Sequence, residues 1–413
     1  MNYNVLALSH FDKNNAIFED YCNGIKNASD TFHYVDYVEL YIQRGKSGFE
    51  TYLFNLVIQL KINFVFIIIR SGDLTFDLFF LKRLADVTKL VFNFFDTEHY
   101  FDAVDKYYGQ EAFLVLLPNY LPKYRFELLG INALCTFSLY DKARYKKYER
   151  TVRDIDISFV GNVVKCGRTP LMSFLSAHNI VVEQFGRGSS NGLITFEEMI
   201  AVFNRSKINL NFNASADNAV LILGENINNR IMQIKGRINE IVLCGGFVLT
   251  EYSPGIEQMY EIGKEIDVFC NKHELLEKVR YYLTNDTERE AMADAARTRA
   301  LGKYDTNEVF DWLLNHYLPG LVNTDDGKVL SDTSFEINYS LYRTFYLVNF
   351  LARSQFRYAF GELCQLLKIP MLLTRTFKKV PRFLFNGVSL YLSQFPALKA
   401  RMKSILKIKI RGD

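Results

Sequence analysis

Lys235-Gly-Arg-Ile-Asn-Glu-Ile-Val-Leu-Cys-Gly-Gly-Phe-Val-Leu-Thr-Glu-Tyr-Ser-Pro-Gly255 carries three signals in succession. A polar, basic opening (Lys235, Arg237, Glu240) leads into Ile241, Val242 and Leu243, and a Gly245-Gly246 break follows. Phe247-Val248-Leu249-Thr250 is then a short apolar run suited to a buried strand, which must stop near Glu251. Ser253-Pro254 predicts a helix N-cap with proline at the first helical position, and Ile256, Met259 and Tyr260 form its inward stripe. A helix beginning at the carboxyl end of a parallel strand is where anionic ligands sit, because its first N–H groups are unpaired. Two cations and two carboxylates in one segment suit a nucleotide diphosphate carrying ribose or sugar hydroxyls. Lys235, Arg237 and Glu240 are equally compatible with the solvated face of an ordinary helix.

Working outward, 413 residues are enough for two domains with full cores, and 49% hydrophobic with 23% charged residues marks a globular chain. Net charge is +3, too small to argue for nucleic-acid binding by the bulk of the chain. The six cysteines show neither paired short spacing nor histidine partners at zinc distances, so a reduced, cytoplasmic setting without a metal site is expected. The first ten residues lack the basic start and long apolar core of a signal peptide. The most apolar run, Asn63 to Ile69, is far too short to span a bilayer.

Residues 1 to about 150 alternate short apolar runs with longer amphipathic ones, the pattern of a parallel sheet flanked by helices. Strands are expected near Asn4–Ser9, Tyr34–Leu40, Asn63–Ile69, Lys89–Phe95 and Phe113–Leu117. No Gly-x-Gly-x-x-Gly follows the first strand, which excludes a standard dinucleotide binder. The fourth strand ends in Asp96-Thr-Glu98-His99, where Asp96 and Glu98 could serve acid–base chemistry or hold acceptor hydroxyls. Alternatively, Asp96 simply caps the next helix. Tyr140 to Arg153, dense in Lys, Arg and Tyr, reads as a surface connection or linker helix between domains. A second strand–helix series follows, with a capping box at Thr195 and Glu198 and a half-exposed strand over Lys207–Phe212. Two such series imply two doubly wound parallel-sheet domains with a cleft between their carboxyl edges.

After about Pro319 the pattern changes to a polar loop, Asn323–Asp332, and then helices rich in Phe, Tyr and Leu. From Arg375 to Asp413 there are ten Lys or Arg and one acidic residue, interleaved with Phe383, Phe385, Tyr391 and Phe395. Basic residues beside apolar ones suit an anionic membrane surface; basic stripes also bind nucleic acid, but the apolar share favours the membrane. Packing of this tail against the first domain is the alternative.

The second series resembles the group 1 glycosyltransferase domain of the CgeB-like kind. The residues carrying the likeness are Phe159-Val160-Gly161 with Arg168, Gly186-x-Gly188 with Asn191-Gly192, Ser206-Lys-Ile-Asn-Leu-Asn211, Lys235-Gly-Arg237 with Glu240, Cys244-Gly-Gly-Phe-x-Leu-Thr-Glu-Tyr252 and Gly263-Lys-Glu265. With the Leu276-Glu-Lys278 and Glu288-Arg-Glu290 helices they cover about 155 to 305 in the expected order. The resemblance implies an α/β fold of GT-B type: two Rossmann-like domains, over 1–150 for the acceptor and 155–318 for a nucleotide-sugar donor, with a mainly helical extension over 319–413. It places Glu240 at the second glutamate of a Glu-seven-residues-Glu motif, gripping the ribose. Arg168, Lys235 and Arg237 then serve the diphosphate, and Tyr252, Ser253 and Gly255 line the donor sugar. Met232 stands where the motif's first glutamate would be.

The expectation is a cytoplasmic, metal-independent glycosyltransferase, peripheral on the inner face of the membrane. It uses no cofactor, and Asp96, Glu98 and Arg237 act at the reacting centre. Its partners are a nucleotide sugar, a surface-glycan or lipid-linked acceptor and an anionic membrane, without nucleic acid. A nucleotide-sugar epimerase and a non-catalytic nucleotide-sugar binder are the rivals.

Overall fold

The computed structural model describes residues 3–10, 16–149, 152–164, 167–215, 231–322, 331–369, 380–395 and 397–398. The first sheet consists of β1 (Asn4–Ser9), β2 (Thr31–Asp36), β3 (Phe64–Ile68), β4 (Lys89–Asn93), β5 (Leu114–Leu117) and β6 (Ala133–Cys135). All are parallel, in the order β2-β1-β3-β4-β5-β6. Strands β3 and β5 are buried along their whole length, as expected for a sheet covered on both faces. Helices α1 (Ala16–Ala28), α2 (Tyr37–Gln59), α3 (Leu78–Ala85) and α4 (Tyr120–Glu127) flank it.

The strand expected over Tyr34–Leu40 ends instead at Asp36. Its carboxylate accepts from the Glu39 amide at 2.9 Å, so a strong N-cap starts α2 where the β-branched and aromatic run alone would continue the strand.

The second half contributes β7 (Ile155–Val160), β8 (Glu183–Phe185), β9 (Ser206–Asn211), the ribbon strands β10 (Ala214–Ser215) and β11 (Ile231–Met232), β12 (Val248–Glu251) and β13 (Asp267–Phe269). Its parallel sheet runs β13-β12-β9-β7-β8, the order of a doubly wound fold whose switch point falls between β7 and β9. Helices α5 (Arg168–Ala177), α6 (Phe196–Arg205), α7 (Arg237–Leu243), α8 (Lys272–Thr284) and α9 (Asp286–Lys303) surround it, and α10 (Thr306–Trp312) returns to pack on α1. The Thr195 hydroxyl and the Glu198 carboxylate form the expected reciprocal cap of α6.

Two local expectations are corrected. Strand β9 is central, not half-exposed: Asn209 and Asn211 are buried, bonding Ser158, the Phe247 carbonyl and Thr250. Alternation of polar and apolar residues resembles a solvated face, yet here the polar face is satisfied internally. Ser253-Pro254 does not start an α-helix. Gly255 takes φ +91°, the chain makes only a 3₁₀ turn over Ile256–Gln258, and the Ile256 amide is already bonded to the Ser253 carbonyl. No open helix N-terminus therefore stands at the end of β12.

The connection after residue 136 forms turns rather than a helix, and it buries Tyr140 and Tyr145. The extension comprises α11 (Thr333–Ala352) and α12 (Phe356–Leu366), docked on the first sheet's α2, and α13 (Val380–Ser393), packed on α11. Its anchor is Arg343, wholly buried among Tyr41, Tyr339, Tyr342 and Tyr346 and paired with Glu362 at 3.8 Å. The start of the basic tail packs inward too: Phe383 is buried, and the Asn349 amide donates to the Gly387 carbonyl at 3.2 Å. Of the basic and polar segments singled out above, residues 150–151, 323–330, 375–379, 396 and 399–413 lie outside the described residues.

Candidate active site

The carboxyl edges of the two sheets meet. Asp96 follows β4 and Asn119 follows β5 on one side; β10, β11 and the segment leading into α7 lie on the other. The Ile234 amide donates to Asn119 Oδ1 at 2.9 Å, and Gln233 Nε2 donates to Asp96 at 2.7 Å and to Glu98 at 3.2 Å. His99 Nε2 bonds Ser215 Oγ at 2.8 Å, Lys235 Nζ donates to Ser215 at 3.4 Å, and Lys235 also bonds Gln233. Asp96, Glu98 and Lys235, which are far apart in sequence, thus share one polar network across the cleft.

Asp96 is not a side-chain cap. It stands before the helical turn Thr97–Tyr100 with φ +53°, without a capping bond, and its carboxylate accepts from Ser71 and Gln233 instead. A non-glycine residue in the left-handed region at the mouth of a cleft is backbone strain held by its surroundings. Burial pushes the Asp96 carboxyl up, but Lys235 and the bonds from Gln233 and Ser71 outweigh it, holding the group below the usual carboxylate range. Glu98 goes the other way: burial, reinforced by Asp96, raises it to about 7. The two carboxyls are therefore differentiated, one ionised and one poised to carry a proton near neutrality. Asp105, wholly enclosed behind them, is raised by burial to about 8.

Arg237 and Glu240 lie on the first turn of α7 and pair with each other at 2.5 Å, in a pocket shared with Tyr145, Met199 and Phe203. Their side chains are only 27% and 14% exposed, so this is not a fully solvated helix face. Gly236 lets the chain pass under Tyr140, whose hydroxyl would lie 2.2 Å from a Cβ there. Arg168 opens α5 at the end of β7. It is buried, donates to the Asn162 carbonyl at 2.6 Å, and its Nε has no partner among the described residues. Burial lowers its pKa, opposed by the nearby Glu251 carboxylate. That carboxylate is itself held by the backbone amides of Asn213 and Ala214 at 3.0 and 2.9 Å.

Ser253 is buried, and Gly255 approaches the first domain so closely that a Cβ would stand 2.9 Å from that of Tyr120. Tyr252, partly buried, hydrogen-bonds through its amide to the Phe269 carbonyl. Of the named residues, Asp96, Glu98 and Lys235 share the cross-cleft network, Arg237 pairs with Glu240, Arg168 lies near Glu251, and Tyr252, Ser253 and Gly255 follow the end of β12. The network members that sequence reasoning missed are Ser71, Asn119, Asn213, Ser215 and Gln233. The run Asn209-x-Asn211-x-Asn213 was a usable signal, since polar residues at period two leading into a strand's carboxyl end mark a polar face there. Among the described residues no group of His, Cys, Asp or Glu side chains gathers as a metal-ligand set.

Residues 149–315 match the model of the glycosyl transferase-like family. HepE from Anabaena, solved with UDP and glucose, is similar in fold at 12% identity and a TM-score of 0.55, over 78% of this chain and 100% of that one. A glycosyltransferase from Rickettsia africae is 9% identical with a TM-score of 0.54, over 78% and 100%. Sucrose-phosphate synthase from Thermosynechococcus elongatus is 8% identical with a TM-score of 0.55, over 78% and 99%. No curated protein matches the chain by sequence. The chain therefore has the two-sheet GT-B fold, and its second half carries the sequence pattern of the glycosyl transferase-like family.

Proposed function

We propose that the protein transfers a sugar from a nucleotide-sugar donor to a hydroxyl acceptor in the cleft between the two sheets. The observation that carries this reading is the cross-cleft network of Asp96, Glu98, Gln233 and Lys235, beside a second half that matches a glycosyl transferase-like family. Arg168, Lys235 and Arg237 take the diphosphate, Glu240 holds the ribose, and Tyr252, Ser253 and Gly255 line the sugar. Glycosyl transfer passes through an oxocarbenium-like state while negative charge builds on the departing diphosphate, so fixed cations facing it lower the barrier. Protein cations supply that charge without a metal. Asp96 and Glu98 face the acceptor, and Glu98, raised to about 7, is the group able to take or give a proton near neutrality. HepE was solved with UDP-glucose, which makes uridine nucleotide sugars the first donors to test.

The acceptor in this reading is a surface-glycan or lipid-linked precursor, and a peripheral position on the cytoplasmic face of a membrane would set the cleft beside it. Membership of the CgeB-like subgroup belongs to the same proposal. Met232 at the place of the motif's first glutamate favours a second reading, a nucleotide-sugar binder without turnover. Incubation with a panel of nucleotide sugars, with and without candidate acceptors, separates the possibilities. Acceptor-dependent nucleotide release supports transfer. A new sugar nucleotide without acceptor means epimerisation, and binding alone means a non-catalytic protein; either overturns the proposal.

A further inference from the structure

Helix α12 has two working faces. Tyr358, Ala359 and Glu362 point inward: Tyr358 packs over Gly45, Ala359 is buried, and Glu362 bonds Tyr41. On the other side Phe356, Phe360, Leu363 and Leu367 follow at i, i+4, i+7 and i+11, a single stripe on a helix. They are 67%, 67%, 37% and 73% exposed. Isolated exposed apolar residues need no account, but two phenylalanines and two leucines aligned along three turns do. Arg357 and Lys368, both exposed, fall on the same flank of this stripe, one near its start and one just past its end.

Charge identifies the occupant. Residues 353–413 contain thirteen Lys or Arg against two acidic residues, whereas residues 1–352 contain 36 against 44. Among the described residues of that stretch Arg357, Lys368 and Arg382 are exposed, and the acid Glu362 is 3% exposed and turned into the protein, so it does not offset them. A cationic segment on an acidic body, with an open aromatic and aliphatic stripe, is complementary to an anionic bilayer. Lipid headgroups meet the cations and the acyl boundary receives Phe and Leu. A protein groove of ordinary composition would match the stripe but not the charge excess.

We propose that the α12 stripe is a membrane-docking face that lays the first domain on an anionic phospholipid surface. This does not depend on the chemistry proposed for the cleft. Vesicle co-sedimentation of the full chain tests it, using vesicles of phosphatidylcholine alone and vesicles with added phosphatidylglycerol. Binding should be confined to the anionic vesicles and weaken with salt. In the variant F356S/F360S/L367S it should fall at least about tenfold, with an unchanged thermal melt because these side chains are exposed. The charge variant R357E/K368E should weaken binding to anionic vesicles while leaving the fold intact. Equal binding to both vesicle types, no binding by the unaltered chain, or undiminished binding by the stripe variant would overturn the proposal. Conversion from dimer to monomer by the stripe variant, seen by light scattering without any vesicle effect, would give the face to a second copy and overturn it as well.

Discussion

Gln233 Nε2 donates to the Asp96 carboxylate at 2.7 Å, tying the second half of the chain to the carboxyl edge of the first sheet. The same amide reaches Glu98, so one neutral side chain holds two carboxyls that would otherwise repel. A hydrogen bond to a charged acceptor is worth about 1.5–3 kcal/mol when its loss leaves that acceptor buried. Gln233→Ala should lower unfolding stability by about 1–2 kcal/mol. A double-mutant cycle with Asp96→Ala should return a coupling of about 1 kcal/mol or more, and additive effects would mean that the two do not communicate.

The strand–helix alternation was legible because buried strands such as Phe64–Ile68 and Leu114–Leu117 are continuous apolar runs that a doubly covered sheet accommodates. Less legible were features decided by a single competing bond. Asp36 capping α2 cut short a strand that side-chain preference would prolong, and Gly255 at φ +91° replaced a capped helix by a turn. At the candidate site, Asp96 and Glu98 stand out as charge beside a strand end and Lys235 as part of the basic opening of a helix, both visible locally. Gln233 did not, since its partners lie 137 and 135 residues away and a lone glutamine has no local signature.

Glu98 and Asp105 make stability fall with pH. Burial raises their folded-state pKa values to about 7 and about 8, above the unfolded values, so the native state binds these protons more tightly. The contribution is whole below the unfolded pKa of each carboxyl and is lost as pH climbs through 7 to 8. Glu98→Gln, which cannot ionise, should gain stability relative to the unaltered chain between pH 5 and pH 8, by on the order of 2 kcal/mol. Urea unfolding at the two pH values measures it; a difference independent of pH would show that Glu98 is not held protonated.

Arg343 fixes the extension to α2 through Tyr41 and Glu362. Removing the guanidinium leaves Glu362 buried without its cation, and breaking a buried pair in this way costs about 3–5 kcal/mol. Arg343→Met should therefore strongly lower the melting temperature, and the double variant Arg343→Met/Glu362→Met should recover a large part of the loss. Failure of the second change to restore stability would assign the effect to packing among the tyrosines rather than to charge.

The proposed donor site is tested most directly at Arg237 and Glu240, by calorimetric titration with UDP and steady-state kinetics on Arg237→Ala, Glu240→Ala and the surface control Lys272→Ala. The two side chains pair at 2.5 Å, so a diphosphate and ribose bound beside them would exchange partners with this pair. Each truncation removes a charge-assisted bond worth roughly 1.5–3 kcal/mol. Arg237→Ala should depress turnover as well as affinity, because leaving-group charge grows toward the transition state; Glu240→Ala should mainly weaken donor binding, because the ribose is unchanged through the reaction. Variants that bind UDP and turn over like Lys272→Ala would mean that the α7 pair is structural and that the donor lies elsewhere.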